Sequence, residues 1–316
     1  MNIRTSWNKF WFSPAAYFDL AVVRIIAVLV QVVYMVAEQF SDLQYVYTLP
    51  ATTYRPLPVL HLFVFAWGFH SPPPSQVVFA LYGIVLLCGF ASLVGLFTRV
   101  VLVIFALGCL FLQAFVFSFQ QYHHPEAIMI IALLALALGP SGQVLSVDSA
   151  LRRWRQGQAQ TVPLLDYSSP YAGWPVLFIQ CIYPLVYISA AVAKLAYNHY
   201  TLDWANGYTL QYYLIQDDIR KELPFAAWAS QFHVMIFLSQ IVVILYQCTY
   251  YLVIPYRKLR WIYLPVGAFF HLANYIVLDA PFPQWIALLA AYIPFADCIR
   301  YLATKRVVVE PSAEGA

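Results

Sequence analysis

Lys194 is the only lysine inside a hydrophobic segment of this 316-residue sequence, the run GWPVLFIQCIYPLVYISAAVAKL that starts at Gly173. A lysine near mid-bilayer costs roughly 2.5–3.5 kcal/mol on insertion scales, so its position needs a compensating interaction. One candidate is snorkelling, with the stem along lipid and the ammonium among the headgroups. The other is retention inside a helix bundle. Tyr197, Tyr200 and Trp204 follow and read as an interfacial aromatic belt. A helical rise of ~1.5 Å per residue puts Lys194 roughly 9 Å below Tyr200, partly inside. A lysine stripped of water loses the hydration that favours its ammonium form, which makes a free amine available as a base.

Other polar residues accompany it at a similar depth. His271 and Asn274, in FFHLANY, are three residues apart and share a helix face. Tyr187 lies two turns from Lys194 on one stripe, with Tyr183 a turn deeper. His124 stands in His123-His124-Pro125-Glu126, at the outer entrance of an apolar segment. Neighbouring histidines on a helix point different ways, so no metal site is expected. Polar groups at membrane depth either bond helix to helix or line a wet cavity, and the residues alone leave both open. Proton abstraction is the chemistry such a set allows. The sequence has no Ser/His/Asp array, nucleotide loop or HExxH motif. Cys88, Cys109, Cys181, Cys248 and Cys298 fall singly in apolar runs and read as small buried hydrophobes.

The elements that must position these residues are membrane spans. Hydrophobic residues make up 62% of the chain and charged ones 10%, a balance that excludes a soluble domain. No ten-residue alternation points to a barrel, so the fold expected is an all-α, polytopic helical bundle. About eight spans are expected, near 17–37, 76–96, 100–119, 126–145, 174–196, 233–254, 262–278 and 282–302. They form one domain over residues 1–306, with a short tail at 307–316. The insert PLPVLHLFVFAWGF is too short to span and reads as interfacial or re-entrant. Arg24 lies within the first span and is expected to snorkel to the inner surface. No cleaved signal peptide is expected at the N-terminus, and no internal repeat supports an inverted-repeat transporter.

Orientation follows from the basic residues. With the N-terminus inside, 12 Lys and Arg face the cytoplasm and 3 (Arg55, Arg220, Lys221) face out; Arg24 and Lys194, within spans, complete the 17. By the positive-inside rule both termini are cytoplasmic, and ALRRWRQGQ lies on the inner leaflet. A net charge of +3 is too small to imply nucleic acid.

The segments AVVRIIAVLV, SVD (146–148), VYISAAVAKL with DWANGYTL, and GAFFHLANY resemble the HTTM (horizontally transferred transmembrane) family. That family includes the vitamin K-dependent gamma-carboxylase, and the resemblance runs from about Phe12 to the last span. It implies a multi-pass protein of the bacterial inner (plasma) membrane. It further implies that Lys194 is the catalytic amine that deprotonates vitamin K hydroquinone or a similar quinol. His124 matches an active-site histidine, and Tyr187, His271 and Asn274 match ligand-binding positions. Ala193 stands where the carboxylase has a second lysine, and the segment between Leu195 and Asp203 is longer here. The carboxylase's large luminal domain has no counterpart in this sequence.

Two readings result. The first is a quinol-dependent modifying enzyme with an outward-facing lysine pocket, using membrane lipids as solvent, a lipid-soluble quinone, and a peptide or protein substrate. The second is a non-catalytic membrane subunit for peptide maturation, export or immunity. A transporter ranks behind both.

Overall fold

Inside a bilayer every backbone N–H and C=O must find its partner within the chain, and the apolar runs here do so as helices. The computed structural model describes residues 2–63, 71–120, 126–157, 164–196 and 201–309. It is a polytopic helical bundle in two compact units, Met1–Phe178 with Ala290–Ala316, and Ile179–Leu289.

In the first unit, α1 (Ile3–Trp11) is capped by the Asn2 side chain and buries nothing. The next helix is longer than its expected end at Ala37. α2 (Tyr17–Tyr34) runs through a π-helical turn, Met35–Gln39, into α3 (Phe40–Val46), an unbroken 30 residues. α4 (Ser75–Val94), α5 (Thr98–Phe117), α6 (Glu126–Leu138) and α7 (Val147–Gln156) follow. α5 packs on α4 and α6, while α2 packs on α4, α6 and α14 (Phe295–Val309). The two-residue strands β1 (Ala15–Ala16) and β2 (Ser168–Ser169) pair antiparallel. Of the insert PLPVLHLFVFAWGF, the described part contains a short 3-10 turn, Pro58–Leu62.

The chain passes from the first unit to the second inside α8 (Pro170–Ala196). The second unit continues with α9 (Tyr208–Lys221), α10 (Pro224–Ala229), α11 (His233–Thr249), α12 (Arg260–Leu278) and α13 (Pro283–Leu288). Leu214, Ala226 and Ile236 knit α9, α10 and α11 together.

The span count falls short of eight among the described residues. Among the described residues six helices are long and apolar enough to cross: Tyr17–Val46, Ser75–Val94, Thr98–Phe117, Pro170–Ala196, His233–Val253 and Arg257–Leu278. The segment expected at 126–145 yields only α6, 13 residues. That reaches about 20 Å against a hydrocarbon core of ~30 Å. It stops where Gly139-Pro140 follows, because proline has no N–H to give and disfavours helix at the residue before it. The segment expected at 282–302 breaks at Pro294 into Pro283–Tyr292 and Phe295–Thr304, and counted as one span it makes seven.

Arg24 also departs from expectation. It is fully buried rather than snorkelled, and its Nη2 donates to the Leu145 carbonyl at 2.7 Å. Its other side-chain nitrogens, Nε and Nη1, have no partner among the described residues. Gly95 makes room for it. This glycine ends α4 at φ +73°, and a Cβ there would meet Arg24 Nη1 at 2.7 Å.

The SVD motif is a double cap. The Ser146 Oγ accepts from Ser149 N at 3.0 Å and starts α7. Asp148 reaches across to the start of α5, accepting from Phe97 N at 2.8 Å, Thr98 N at 2.7 Å and Thr98 Oγ1 at 2.7 Å. These donors are orphans of the α5 N-terminus, where a carboxylate is also favoured by the helix dipole.

Candidate functional site

The polar residues of the second unit form two layers along α8. In the deeper layer, Tyr183 and Tyr187 lie one turn apart and are buried, at 0% and 3% exposure. Tyr187 shares a hydrogen bond with His271 Nε2 at 2.8 Å, and the Tyr183 hydroxyl lies 3.4 Å from the same nitrogen. Tyr183 also donates to the Trp285 carbonyl at 3.2 Å. Tyr246 and Tyr250 from the α11 side, and Trp285 from α13, pack their rings against Tyr187 at 5.0–5.5 Å between centroids. Gly267 on α12 lets Tyr246 come close; a Cβ there would collide with its hydroxyl. His271 Nδ1 and Trp285 Nε1 are buried and have no hydrogen-bond partner among the described residues. A phenol bonded to an imidazole can pass a proton either way, and the aromatic wall keeps that pair out of lipid.

Lys194 builds the shallower layer. Its side chain is half-buried, and Nζ donates to Gln247 Oε1 at 3.1 Å and to the Ala190 carbonyl at 3.4 Å. Side chains on a helix lean toward its N-terminus, and this one follows that lean back by one turn, toward Tyr187. From Ala190 to Tyr187 the helix rises only about 4.5 Å. Nζ also stands 5.1 Å from the centroid of the Trp204 ring, a cation–π distance. These partners are neutral.

Trp204 is held in place by a chain of contacts. Gln240 on α11 donates from Nε2 to the Trp204 carbonyl at 2.7 Å and accepts from Gly207 N at 2.8 Å. Gly207 has φ +93°, and a Cβ there would meet the His233 ring at 2.6 Å, so the turn of DWANG needs glycine. Gln240 and Gln247 are seven residues apart on one face of α11. One holds the turn that carries Trp204, and the other holds Lys194.

Of the expected site residues, Tyr187 and His271 are bonded directly, and Lys194 lies two turns further along α8 from Tyr187. Asn274 is half-buried; its carbonyl accepts from Asp279 N and Ala280 N at the end of α12. Among the described residues its side chain bonds to neither Lys194 nor His271. His124 lies outside the described residues. Gln247, Gln240 and Trp285 were not among the expected site residues. Glutamines at a seven-residue interval inside the apolar run HVMIFLSQIVVILYQCT were the available signal for the first two.

A family model described as HTTM domain matches residues 12–297. The chain belongs to the HTTM domain family. No curated protein and no solved structure matches it. The HTTM match spans both compact units, including the Lys194 layer and the Tyr187–His271 layer.

Proposed function

We propose that this HTTM protein is a membrane enzyme of the bacterial plasma membrane that takes a proton from a lipid-soluble hydroquinone, with Lys194 as the base. The observation that carries the reading is the posture of Lys194. Its Nζ is turned inward and held by Gln247, the Ala190 carbonyl and the Trp204 face. These neutral, electron-rich partners stabilise an ammonium as it forms, with less pull toward the protonated state beforehand than a carboxylate would exert. Lys194 therefore takes the proton of a hydroxyl placed at Nζ, and the new ammonium stays bonded to Gln247 and Ala190. Tyr187 and His271 orient the ligand from below. Asn274 and His124 join this set on the family resemblance.

The neighbouring groups suit a flat aromatic diol. Tyr246, Tyr250 and Trp285 form a buried aromatic wall around Tyr187, and His271 Nδ1 and Trp285 Nε1 are buried polar atoms whose hydrogen bonds a ligand's oxygens would supply. When bound, such a quinol, vitamin K hydroquinone among the candidates, supplies an ionisable hydroxyl and two electrons.

The test uses purified protein in lipid nanodiscs, reduced naphthoquinone and oxygen, with products read by chromatography. Lys194→Arg keeps charge and length but offers no base, because guanidinium does not deprotonate. It should fold, bind the quinone and lose turnover. Gln247→Leu removes one hydrogen bond to a charged group, worth ~1.5–3 kcal/mol, and should slow turnover roughly 10- to 150-fold. Full turnover by Lys194→Arg, or none by the unmodified protein across several quinone head groups, would turn the reading to the second one.

That second reading is a non-catalytic subunit that docks a peptide. It is favoured by α9, which carries exposed Tyr208, Tyr212, Tyr213 and Ile219 outside the six spans.

A further inference from the structure

We infer that the first unit holds a binding site for a phosphate-bearing anion, at the face that the basic residues assign to the cytoplasm. The inference is independent of the quinol reading. A cavity of about 520 Å³ lies there, lined by Tyr17, Arg99, the 138–143 turn, Arg152, Tyr171 and Trp174. That volume is in the range of small-ligand sites. Apart from Arg152, which lies within α7, these residues sit at helix ends: the starts of α2, α5 and α8 and the finish of α6.

The charge around the cavity is unbalanced toward positive. Arg99 is exposed, and among the described residues its guanidinium makes neither a hydrogen bond nor an ion pair. Arg152 spends one bond on the Gly142 carbonyl at 3.1 Å, leaving further N–H groups. The one acid in the lining, Asp148, accepts from Phe97 and Thr98 and offsets one of these positive charges, which leaves the lining net positive once Arg24 is counted. Outside the lining, the buried Arg24 bonds to the Leu145 carbonyl and interacts electrostatically with Asp148, so it adds to the positive field there. Buried or crowded guanidinium groups need an anion, and their fork geometry fits phosphate oxygens.

The mouth is placed for headgroups. Tyr171 and Trp174 have the amphipathic rings that settle at the membrane interface. α7, which supplies Arg152, also carries exposed Arg155. The phosphate can come from an anionic lipid or from a soluble phosphate ester, since both present the same oxygens.

Native mass spectrometry of the detergent-solubilised protein distinguishes the two sources, with phosphatidylglycerol, phosphatidylcholine and glycerol phosphate as probes. Saturable binding of phosphatidylglycerol, with phosphatidylcholine weaker, identifies a lipid headgroup. Saturable binding of glycerol phosphate identifies a soluble ester. Either supports the site provided that Arg99→Gln weakens it about tenfold, the worth of one charge-assisted contact, while Arg155→Gln leaves it unchanged. Arg152→Gln should weaken it as well, but it also frees the Gly142 turn, so Arg99→Gln is the deciding variant. No saturable binding of any probe, or equal weakening by Arg155→Gln, overturns the inference.

Discussion

Replacing Asp148 by alanine removes the acceptor of three hydrogen bonds at the start of α5 and leaves Phe97 N, Thr98 N and Thr98 Oγ1 without it. Losing an N-cap acceptor costs ~0.5–2 kcal/mol, and the charge on this one adds to that through the helix dipole. The same carboxylate stabilises Phe97 at φ +45°, a left-handed conformation unusual for a side chain that is not glycine. Solvent reaches Asp148 and the bonds share one acceptor, so their values do not add, and a total of about 2–3 kcal/mol is expected. Asparagine keeps one acceptor oxygen and should lose about half as much. In thermal unfolding followed by tryptophan fluorescence, about 2–4 °C per kcal/mol places Asp148→Ala some 5–10 °C below the parent. Phe97→Gly in the Asp148→Ala background should recover part of the loss. An Asp148→Ala protein unfolding within a degree of the parent would refute the capping argument.

The same group sets a pH dependence. Burial pushes the Asp148 carboxyl up, but the Thr98 and Phe97 donors, helped by Arg152, outweigh it and hold the pKa below the ordinary carboxylate value. A group depressed in the folded state contributes fully above its unfolded pKa, near ~3.9, and loses that contribution as pH falls through the folded value. The parent's lead over Asp148→Ala should therefore be constant from neutral pH down to about 4 and shrink only below it.

Two further expectations follow from other parts of the fold. Gly207→Ala puts a Cβ against the His233 ring at a residue with φ +93°, and should cost at least ~1 kcal/mol while moving Trp204 off Lys194. Slower quinone turnover together with a lowered melting temperature would show this, whereas an unchanged melting temperature counts against the strain. For topology, single cysteines at Arg155 and Arg220 in a background without the five native ones should label oppositely with an impermeant thiol reagent on intact cells. Labelling at 220 and not at 155 is the expected result, and the reverse would invert the orientation.

Membership in the membrane class, the helical architecture and the position of most helices were legible in the sequence, because hydropathy acts locally and a run of apolar residues must become a helix in lipid wherever it sits. So was the anomaly of Lys194, since the cost of a charge at depth depends on little beyond depth. Helix ends were less legible. α6 stops at Leu138 for a reason written in Gly139-Pro140, yet the apolar run itself suggested a full span.

Which groups meet was decided only in three dimensions. The sequence left open whether Lys194 reached out to headgroups or in toward the bundle, and only the packing of α11 beside α8 puts Gln247 at its Nζ. The His271–Tyr187 bond joins residues 84 positions apart. Arg24 was expected at the lipid surface and is instead enclosed, because the loop after α6 returns the Leu145 carbonyl to it and Gly95 leaves the space. Hydropathy reports how far a residue sits from water; the partner that makes that depth tolerable comes from helix packing between distant parts of the chain, and no local pattern encodes it.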